Sequence, residues 1–358
     1  MAEVLKERYN ETFVKQLCDE FKSVHPQFAE KKFTQLIFDQ EWESKELKTR
    51  MEHISQCLYE VLPKNYSDAL DIMKPVSMKF GGFEPMFFPD YVEKFGKENF
   101  DLSLDALLHF TKYSSSEFAV RPLVLEKPDE MMAQMKLWAK HENYHVRRLA
   151  SEGCRPRLPW AIALPKFKKD PSPILPVLEM LMEDESDYVR RSVANNLNDI
   201  SKDNPQVVIQ IARRWLGKNQ LTDRLIKHGC RTLLKQGNPD VLAMFGFSDP
   251  KDIRVEQFKI PGKVASGGKL TFSFSLYSDN NLGSLRVEFF IGFMKANGKQ
   301  NKKVFKISEG LVESQVKHIE KNFSFAPIST RKYYSGEHSL GVIVNGVTLA
   351  EKTFILQS

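Results

Sequence analysis

The sequence contains no apolar run approaching the eighteen or so residues that a membrane-spanning helix requires. Nor does it begin with the apolar core of a signal peptide, since charged residues occupy half of its first eight positions. These absences argue against a membrane-embedded or secretory class of protein. We therefore expect a cytoplasmic protein of the bacterial type, with no membrane partner.

Cysteine is scarce, and the motifs of common cofactor sites are missing. The four cysteines lie far apart, form no CxxC pair and have no histidine at ligand spacing, so they predict reduced thiols packed in helices. There is no P-loop, no Rossmann glycine cluster and no HxE…PCxxC signature. None of the eight histidines stands in a convincing catalytic arrangement. The sequence predicts no metal and no cofactor.

What the chain does have is length and an uneven charge. Its 358 residues suffice for two domains, and contents of 42% hydrophobic and 27% charged residues are typical of a soluble globular protein. Residues 251–358 carry 16 Lys and Arg against 9 Asp and Glu, a net charge of +7, whereas residues 1–250 carry a net charge of −1. A local basic block also spans residues 147–169. This distribution favours a polyanionic partner, although an ordinary solvated surface gives the same counts.

Residues 1–250 show helical patterns, and part of them repeats. Val146-Arg-Arg and Val189-Arg-Arg lie 43 residues apart, a spacing typical of HEAT-type repeats, in which each unit is a pair of packed helices. Three pairs are predicted, each with a proline at the start of its first helix and a polar cap before its second. The prolines are Pro128, Pro173 and Pro205, and the caps are Asn143, Ser186 and Thr222-Asp223. Such units stack into a solenoid with one concave face.

Less regular helical patterns flank these pairs. They are an apolar pattern over residues 36–62 that ends at Pro63, a connection with one short helix over residues 74–100 and an amphipathic segment over residues 102–110. The second helix of the third pair is predicted through Leu225, Cys230 and Leu234, and the helical pattern ends at residues 236–239. Ser114-Ser-Ser116 offers an N-cap for a further helix, which would carry Glu117 and Arg121.

From Val255 onward the apolar period changes to two, which indicates strands. Seven candidates contain residues 255–258, 270–276, 285–291, 304–307, 319–325, 339–344 and 348–356. Asn297-Gly298 and Asn345-Gly346 are typical hairpin turns. The sequence therefore predicts an all-α HEAT-like repeat solenoid over residues 1–250, followed by an all-β immunoglobulin-like sandwich without a disulfide over residues 251–358.

Acidic residues stand among the basic ones of the helical part. Glu117, Glu152 and Asp199 are predicted on the second helices of successive repeats, so their carboxylates could converge on the concave face. Arg148 lies four residues before Glu152 and shares its helix face. Taken singly, each of these residues is better explained by structure alone, as an intrahelical salt bridge or a helix-ending aspartate.

Three segments carry a resemblance to a known family. Ser115-Ser-Glu-Phe-Ala-Val-Arg-Pro122, His145-Val-Arg-Arg-Leu-Ala-Ser-Glu-Gly-Cys-Arg-Pro-Arg-Leu-Pro-Trp160 and the segment from Val189 to Asp203 resemble the AlkC branch of the HEAT-repeat DNA alkylation-repair glycosylases. The resemblance covers roughly residues 5–245, and a subset of that branch has a similar immunoglobulin-like domain. It implies removal of N3-alkylated bases, such as 3-methyladenine and 3-methylcytosine, from duplex DNA that is kinked around the lesion.

The same resemblance implies the site residues. Glu117, Glu152 and Asp199 match the family's catalytic acids, and Arg148 and Trp160 match positions that orient those acids and the DNA backbone. The implied partner is alkylated double-stranded DNA in the nucleoid, bound by a monomer with no obligate protein partner. We predict DNA contacts from basic residues of both domains: Arg147, Arg155, Arg157, Lys166, Lys168, Lys169, Arg190, Arg191, Lys299, Lys302 and Lys303.

Two other functions stay open at this point. A HEAT scaffold without catalytic activity could bind nucleic acid or protein through the same surface, because fold alone does not prove activity. Other HEAT glycosylases excise N7-alkylated guanine or bulky adducts, and that preference depends on the shape around the lesion.

Overall fold

The computed structural model of the protein describes residues 5–328 and 331–357. Residues 1–4, part of the charged N-terminal segment considered above, lie outside this range. The chain forms two compact units. We call Met1–Val208 with Trp215–Gly229 the helical unit, and Ile209–Arg214 with Cys230–Ser358, which contains all the strands, the β unit. The boundary predicted at residue 250 stays a prediction. Within the described ranges, no helix is both long and apolar enough to cross a membrane.

Sixteen α-helices lie in the part of the chain that the structure describes. They are α1 (Glu11–Val24), α2 (Glu30–Ile37), α3 (Leu47–Val61), α4 (Tyr66–Ser77), α5 (Phe87–Phe95), α6 (Phe100–Thr111), α7 (Val120–Glu126), α8 (Pro128–Trp138), α9 (Tyr144–Glu152), α10 (Pro165–Lys169), α11 (Leu175–Leu181), α12 (Asp187–Ile200), α13 (Pro205–Trp215), α14 (Gln220–Gly229), α15 (Arg231–Lys235) and α16 (Pro239–Met244). Three short 3-10 helices cover Leu5–Arg8, Trp42–Ser44 and Glu84–Met86.

The first two predicted helix pairs are present, with corrected ends. Helix α8 pairs with α9 and α11 with α12, and α9 also packs on α12, so the second helices are neighbours. Asn143 caps α9 by accepting a hydrogen bond from the His145 backbone N–H at 2.9 Å. The cap of α14 is Asn219 rather than Thr222-Asp223, since the Asn219 Oδ1 accepts from the Thr222 N–H at 2.9 Å. This region is a helical repeat-like array, as the sequence predicts; its assignment to the HEAT type stays a prediction.

Several helix predictions were wrong in detail. The pattern over residues 36–62 is two helices separated by a 3-10 turn, because residues 38–46 leave the helical path. The helix expected through Cys230 breaks at that residue into α14 and α15, and α16 follows the point where the helical pattern was expected to end. Helix α10 was not predicted. All four cysteines are free and buried, but Cys154 and Cys230 lie just beyond helix ends rather than within helices.

All seven predicted strands form, and one short strand is added. The strands are β1 (Arg254–Lys259), β2 (Lys263–Val264), β3 (Lys269–Tyr277), β4 (Gly283–Met294), β5 (Gln300–Val312), β6 (Val316–Ser324), β7 (Gly336–Val344) and β8 (Val347–Leu356). They make a three-stranded sheet in the order β1-β3-β6 and a five-stranded sheet in the order β2-β8-β7-β4-β5. The added strand β2 pairs in parallel with β8.

The period-two pattern explains the core of this β region. Alternate residues of β3, from Leu270 to Leu276, and of β4, from Leu285 to Phe293, are buried in one apolar cluster. The β7–β8 turn has positive φ at both Asn345 (45°) and Gly346 (83°), as a tight hairpin requires. The immunoglobulin-like fold predicted for the C-terminal part is confirmed.

Candidate active site

Glu117 is not on a helix, which corrects the sequence prediction. Helix α7 begins only at Val120, and Glu117 lies in the turn before it. Ser115 holds this turn, because its Oγ accepts from the Glu117 backbone N–H at 3.3 Å and donates to the Glu117 Oε2 at 2.7 Å. Ser116 caps no helix either; its Oγ donates to the Leu107 carbonyl at 2.9 Å. A serine–glutamate turn thus sets the direction of the carboxylate.

Arg148 joins the first two carboxylates. Its Nη1 donates to the Glu117 Oε2 and, at 3.0 Å, to the Ser115 Oγ, while its Nη2 lies 3.4 Å from the Glu152 Oε1. The guanidinium carbon stands 4.6 Å from the centroid of the Tyr188 ring. Arg148 is therefore fixed by two anions, a hydroxyl and an aromatic face, and its position fixes Glu117 relative to Glu152.

Arg155 joins the second and third carboxylates. Its Nη1 donates to the Glu152 Oε1 at 2.6 Å and its Nε to the Asp199 Oδ2 at 2.9 Å. Lys202 donates to the other Asp199 oxygen at 3.0 Å. Helices α9 and α12 pack together, which brings these side chains within reach across 44 residues of sequence. The three acids predicted from the sequence are thus brought together in one chain of alternating charges.

Burial and opposite charge act against each other on the two arginines. Burial on its own would lower the pKa of Arg148, but Glu117 and Glu152 outweigh it, and the net effect raises that pKa. The same holds for Arg155, whose pKa is raised by Glu152 and Asp199 against the effect of burial. Both arginines are therefore held charged, so the neighbouring carboxylates face fixed cations in a largely dry environment.

The charge chain opens on a cavity of about 500 Å³. The lining residues are Gly82, Phe83, Met86, Thr111, Tyr113, Ser114, Ser115, Glu117, Phe118, His145, Arg148, Glu152, Arg155, Leu158, Pro159, Trp160 and Tyr188. Glu152 directs both of its arginine contacts to Oε1, and its buried Oε2 has no hydrogen-bond partner among the described residues. Asp199, by contrast, is 1% exposed and has both oxygens paired. Glu152 therefore lines the cavity as a carboxylate with one buried oxygen left unpaired among the described residues.

A buried arginine organises the loop on the far side of the cavity. Arg121, fully buried in α7, donates from Nη1 to the carbonyls of Gly153 (3.0 Å) and Arg155 (2.9 Å), and from Nε to that of Ile162 (2.6 Å). Burial lowers the pKa of Arg121 to about 10. The bonded carbonyls flank Trp160, which is 71% exposed and has a backbone φ of 65°. Arg121 thus ties down both ends of the loop that presents the Trp160 indole.

The cavity suits a cationic guest. Two carboxylates line it, and the guanidiniums of Arg148 and Arg155 in the same lining match their charge, so the faces of several aromatic rings supply the remaining attraction for a positive charge. His145 is not placed to donate a proton, because burial first and the charge of Arg148 second lower its pKa and keep it neutral. Within residues 5–328 and 331–357, no group of three or more His, Cys, Asp or Glu is arranged to hold a metal ion.

The basic residues predicted to contact DNA fall into two groups in the helical unit. Arg147 and Arg157 make bidentate pairs with Asp184 and Asp203, and Arg190 donates to two backbone carbonyls. Arg155 belongs to the charge chain described above. The remaining residues are exposed or partly exposed and make no bidentate pair among the described residues: Lys166, Lys168, Lys169 and Arg191. The second group is open to an anion, and its contacts with DNA stay a prediction.

The predicted DNA contacts of the other unit lie on and beside β5. Lys299 precedes the strand, and Lys302 and Lys303 lie near its start. Lys302 is already 3.3 Å from the Glu351 carboxylate and stands over the Phe290 ring. For Lys303, burial and then the positive charges of Arg331 and Lys235 lower the pKa, so three cations of this unit lie close together.

Sequence reasoning did not identify Ser115, Tyr188 or Arg121 as site residues. Ser115 and Arg121 flank Glu117 in the same motif, so the motif contained a signal that was not used. Tyr188 gave none, because its contact with Arg148 depends on the approach of α12 to α9.

Two family models and one relative are similar to this chain. A family model described as "DNA alkylation repair enzyme" matches residues 94–234, and another, described as the C-terminal Ig-like domain of YhaZ, matches residues 254–358. The chain is 45% identical to "Uncharacterized protein YhaZ" of Bacillus subtilis (strain 168) over 344 residues, which is 96% of each chain.

A solved structure extends the similarity to the whole chain. The alkylpurine DNA glycosylase AlkC of Pseudomonas fluorescens, bound to DNA containing an abasic site analog, is similar with a TM-score of 0.95 and 33% identity. The similarity covers 99% of this chain and 100% of that one. Full-length similarity at this identity, the family model over the acidic site and the second model over the β region agree. The chain belongs to the AlkC-type family of DNA alkylation-repair glycosylases that have a C-terminal immunoglobulin-like domain.

Proposed function

We propose that this protein excises cationic N3-alkylated bases, 3-methyladenine and 3-methylcytosine, from duplex DNA as the first step of base excision repair. The observation that carries the proposal is the cavity in which Arg148 and Arg155 hold Glu152 by one oxygen and leave the other oxygen unpaired. The similar AlkC of Pseudomonas fluorescens is an alkylpurine DNA glycosylase, which supports an alkylated purine such as 3-methyladenine as substrate. We include 3-methylcytosine because it has the same N3-alkyl positive charge.

The leaving group explains why the site has carboxylates but no acid. An N3-alkylated base already has a positive charge, so the C1′–N bond can break with its electron pair going to the base, which leaves neutral. No proton donor is needed, in keeping with a neutral His145 beside the cavity. Positive charge then develops on the deoxyribose, as in glycoside hydrolysis.

The charge chain supplies what that sugar cation needs. Glu117 and Glu152 present negative charge to the cavity, and Arg148 and Arg155 beside them fix the carboxylates before the reaction, so little reorganisation is required in the transition state. The unpaired Oε2 of Glu152 accepts a hydrogen bond from the attacking water, whose oxygen bonds to C1′ while its proton passes to the carboxylate. Asp199 holds Arg155 from behind and adds to the negative charge.

The remaining expectations belong to the same proposal. We propose a monomer that acts on DNA in the cytoplasm without metal or cofactor, with its helices arranged as HEAT-type repeats. The immunoglobulin-like domain is proposed as a second clamp on the duplex, because residues 251–358 have a net charge of +7.

The test is single-turnover release of free base from methylated duplex DNA, with 3-methyladenine, 3-methylcytosine and 7-methylguanine measured separately. We expect release of the N3 adducts, and a rate lower by about 10²–10³ in Glu152→Gln and Asp199→Asn, the usual order for loss of one such electrostatic group. An unchanged rate in either variant would remove that residue from the mechanism. Release of 7-methylguanine alone would reassign the substrate, and DNA binding without any release would leave a non-catalytic scaffold.

A further inference from the structure

A second cavity, of about 260 Å³, lies between α12 and α14. Its lining residues are Asp187, Arg190, Arg191 and Ala194 of α12 and Leu221, Arg224, Leu225 and His228 of α14. Both sets follow the spacing i, i+3, i+4, i+7, so each is a single stripe on its helix, and the stripes face each other where the helices pack. We call this feature the α12–α14 groove.

The α12–α14 groove has an apolar floor and a positively charged rim. Ala194 and Leu225 are buried at its base, whereas Arg191, Arg224 and His228 are exposed. Three guanidiniums face it against a single carboxylate, that of Asp187. Even with a neutral histidine, the groove therefore has an excess of positive charge, which attracts an anion.

The arginines of the groove differ in how firmly they are held. Arg190 is fixed by two hydrogen bonds from Nη1 to the carbonyls of Asp184 (2.5 Å) and Glu185 (2.9 Å). Arg191 lies 2.9 Å from Asp187, but both side chains of that pair are more than half exposed, so the pair is weak and readily exchanged for another anion. Arg190 is therefore a fixed part of the groove surface, whereas Arg191 at the rim is available to bind an anion.

Arg224 is the least constrained of the three arginines in the groove. It is exposed on α14 and, within the described ranges of the chain, makes no hydrogen bond or ion pair. A guanidinium presents a planar fork of donors that matches phosphate oxygens in pairs, so an arginine on each side of a groove favours a phosphate over a simple halide.

We propose that the α12–α14 groove binds a phosphodiester of the DNA backbone between Arg191 and Arg224. This assignment rests on the proposed function, which supplies the DNA. Arg191 precedes Asp199 by eight residues on α12, or about 12 Å of helix rise, so a duplex at the catalytic site passes within reach of the groove. The shared chemistry is that of a phosphate anion, for which a free phosphate ion is the other source.

The experiment measures equilibrium binding of the full-length protein to a duplex containing an abasic-site analogue, over a range of salt concentrations. In Arg224→Gln we expect affinity several-fold weaker, with the magnitude of the log–log salt slope smaller by about 1, the value for one phosphate contact. Arg224→Lys should recover the salt slope more than the affinity, because lysine restores the charge without the fork.

Lys136→Gln is the matched control. Lys136 is exposed on α8 outside the groove, and its loss removes the same formal charge. Equal effects of Lys136→Gln and Arg224→Gln would show that only the net charge of the protein matters, and would overturn the proposal. Wild-type affinity of Arg224→Gln for DNA would overturn it as well. Melting temperatures of both variants show that each is folded.

A second arm separates the two sources of phosphate. If inorganic phosphate stabilises the wild type but not Arg224→Gln, while both bind DNA equally, the groove takes a free ion and the backbone assignment is wrong. The binding assay needs no base release. If no base is released but Arg224→Gln weakens DNA binding as expected, the proposed function is wrong and the groove assignment stands.

Discussion

In the part of the chain that the structure describes, each unit has a buried charge network, and the two networks are built alike. In the helical unit, Arg155 lies between Glu152 and Asp199. In the β unit, Arg286 donates at 2.6 Å both to Glu288 and to Glu309. Each network also leaves one buried carboxylate oxygen unpartnered, the Oε2 of Glu152 and that of Glu288.

What separates the two networks is access. Glu152 lines a cavity of about 500 Å³ together with aromatic side chains, whereas Glu288 is 0% exposed on the interior strand β4. A buried ion pair contributes little net stability over an apolar pair of the same shape, so its presence alone says nothing about function. The comparison teaches that an unpaired carboxylate becomes a candidate catalyst only where a substrate can reach it.

The largest effect is expected when one carboxylate in each network is neutralised, which tests directly whether the two networks differ in function. Glu152→Gln should lower the single-turnover rate by about 10²–10³. Glu288→Gln should leave that rate close to wild type and instead lower the free energy of unfolding, by up to about 3–5 kcal/mol, because it leaves Arg286 buried without its full charge partner. Equal loss of rate in the two variants would show that buried charge of any kind supports activity.

Arg121 tests whether the loop around the cavity must be held in place. Arg121→Met removes three hydrogen bonds to backbone carbonyls that flank Trp160, and we expect excision to slow by roughly 10-fold while affinity for abasic-site DNA changes less. Arg121→Lys, which can keep some of these bonds, should recover part of the rate. Loss of affinity and rate in equal measure would indicate general unfolding of the region instead.

The basic surface of the β unit should matter for affinity rather than chemistry. If the protein neutralises four to six phosphates, its log–log salt slope is about −4 to −5. Lys299→Gln with Lys303→Gln should reduce the magnitude of that slope by up to about 2, whereas Lys302→Gln should have less effect because Lys302 already pairs with Glu351. An unchanged salt slope in the double variant would show that Lys299 and Lys303 make no contact with DNA phosphates.

The smallest effect concerns acid stability of the β unit. His338 is buried against the rings of Phe354 and Phe293, and burial lowers its pKa, although its hydrogen bond to the Tyr334 carbonyl acts in the other direction. As pH falls below about 6.5, the unfolded chain takes up the proton first, so the stability due to neutral His338 is present above that pH and is lost below it.

Replacing His338 isolates its contribution. In His338→Phe the fall in melting temperature between about pH 7.5 and pH 5.5 should be smaller than in the wild type, since the variant has no group to protonate there. The same fall in both proteins would place the acid sensitivity in other groups, such as His109, whose pKa is also lowered by burial.

Periodicity and turn chemistry made most of the fold predictable. The Val-Arg-Arg repeat located α9 and α12, and Asn345-Gly346 located the last hairpin, because both signals are local. The position of Glu117 was missed because Ser115 bonds to the backbone beside it and competes with the helix. Arg155 was interpreted as a DNA contact because its pairing with Asp199 depends on a helix 44 residues away.

The backbone at Trp160 has a thermodynamic consequence. A φ of 65° is uncommon for a residue other than glycine, and holding it costs of order 1–3 kcal/mol. The fold tolerates this cost while leaving the indole in solvent, where it adds little to the core. Trp160→Gly should therefore melt at a higher temperature than the wild type and excise bases more slowly, a trade-off in which stability is given up to keep an aromatic ring at the cavity.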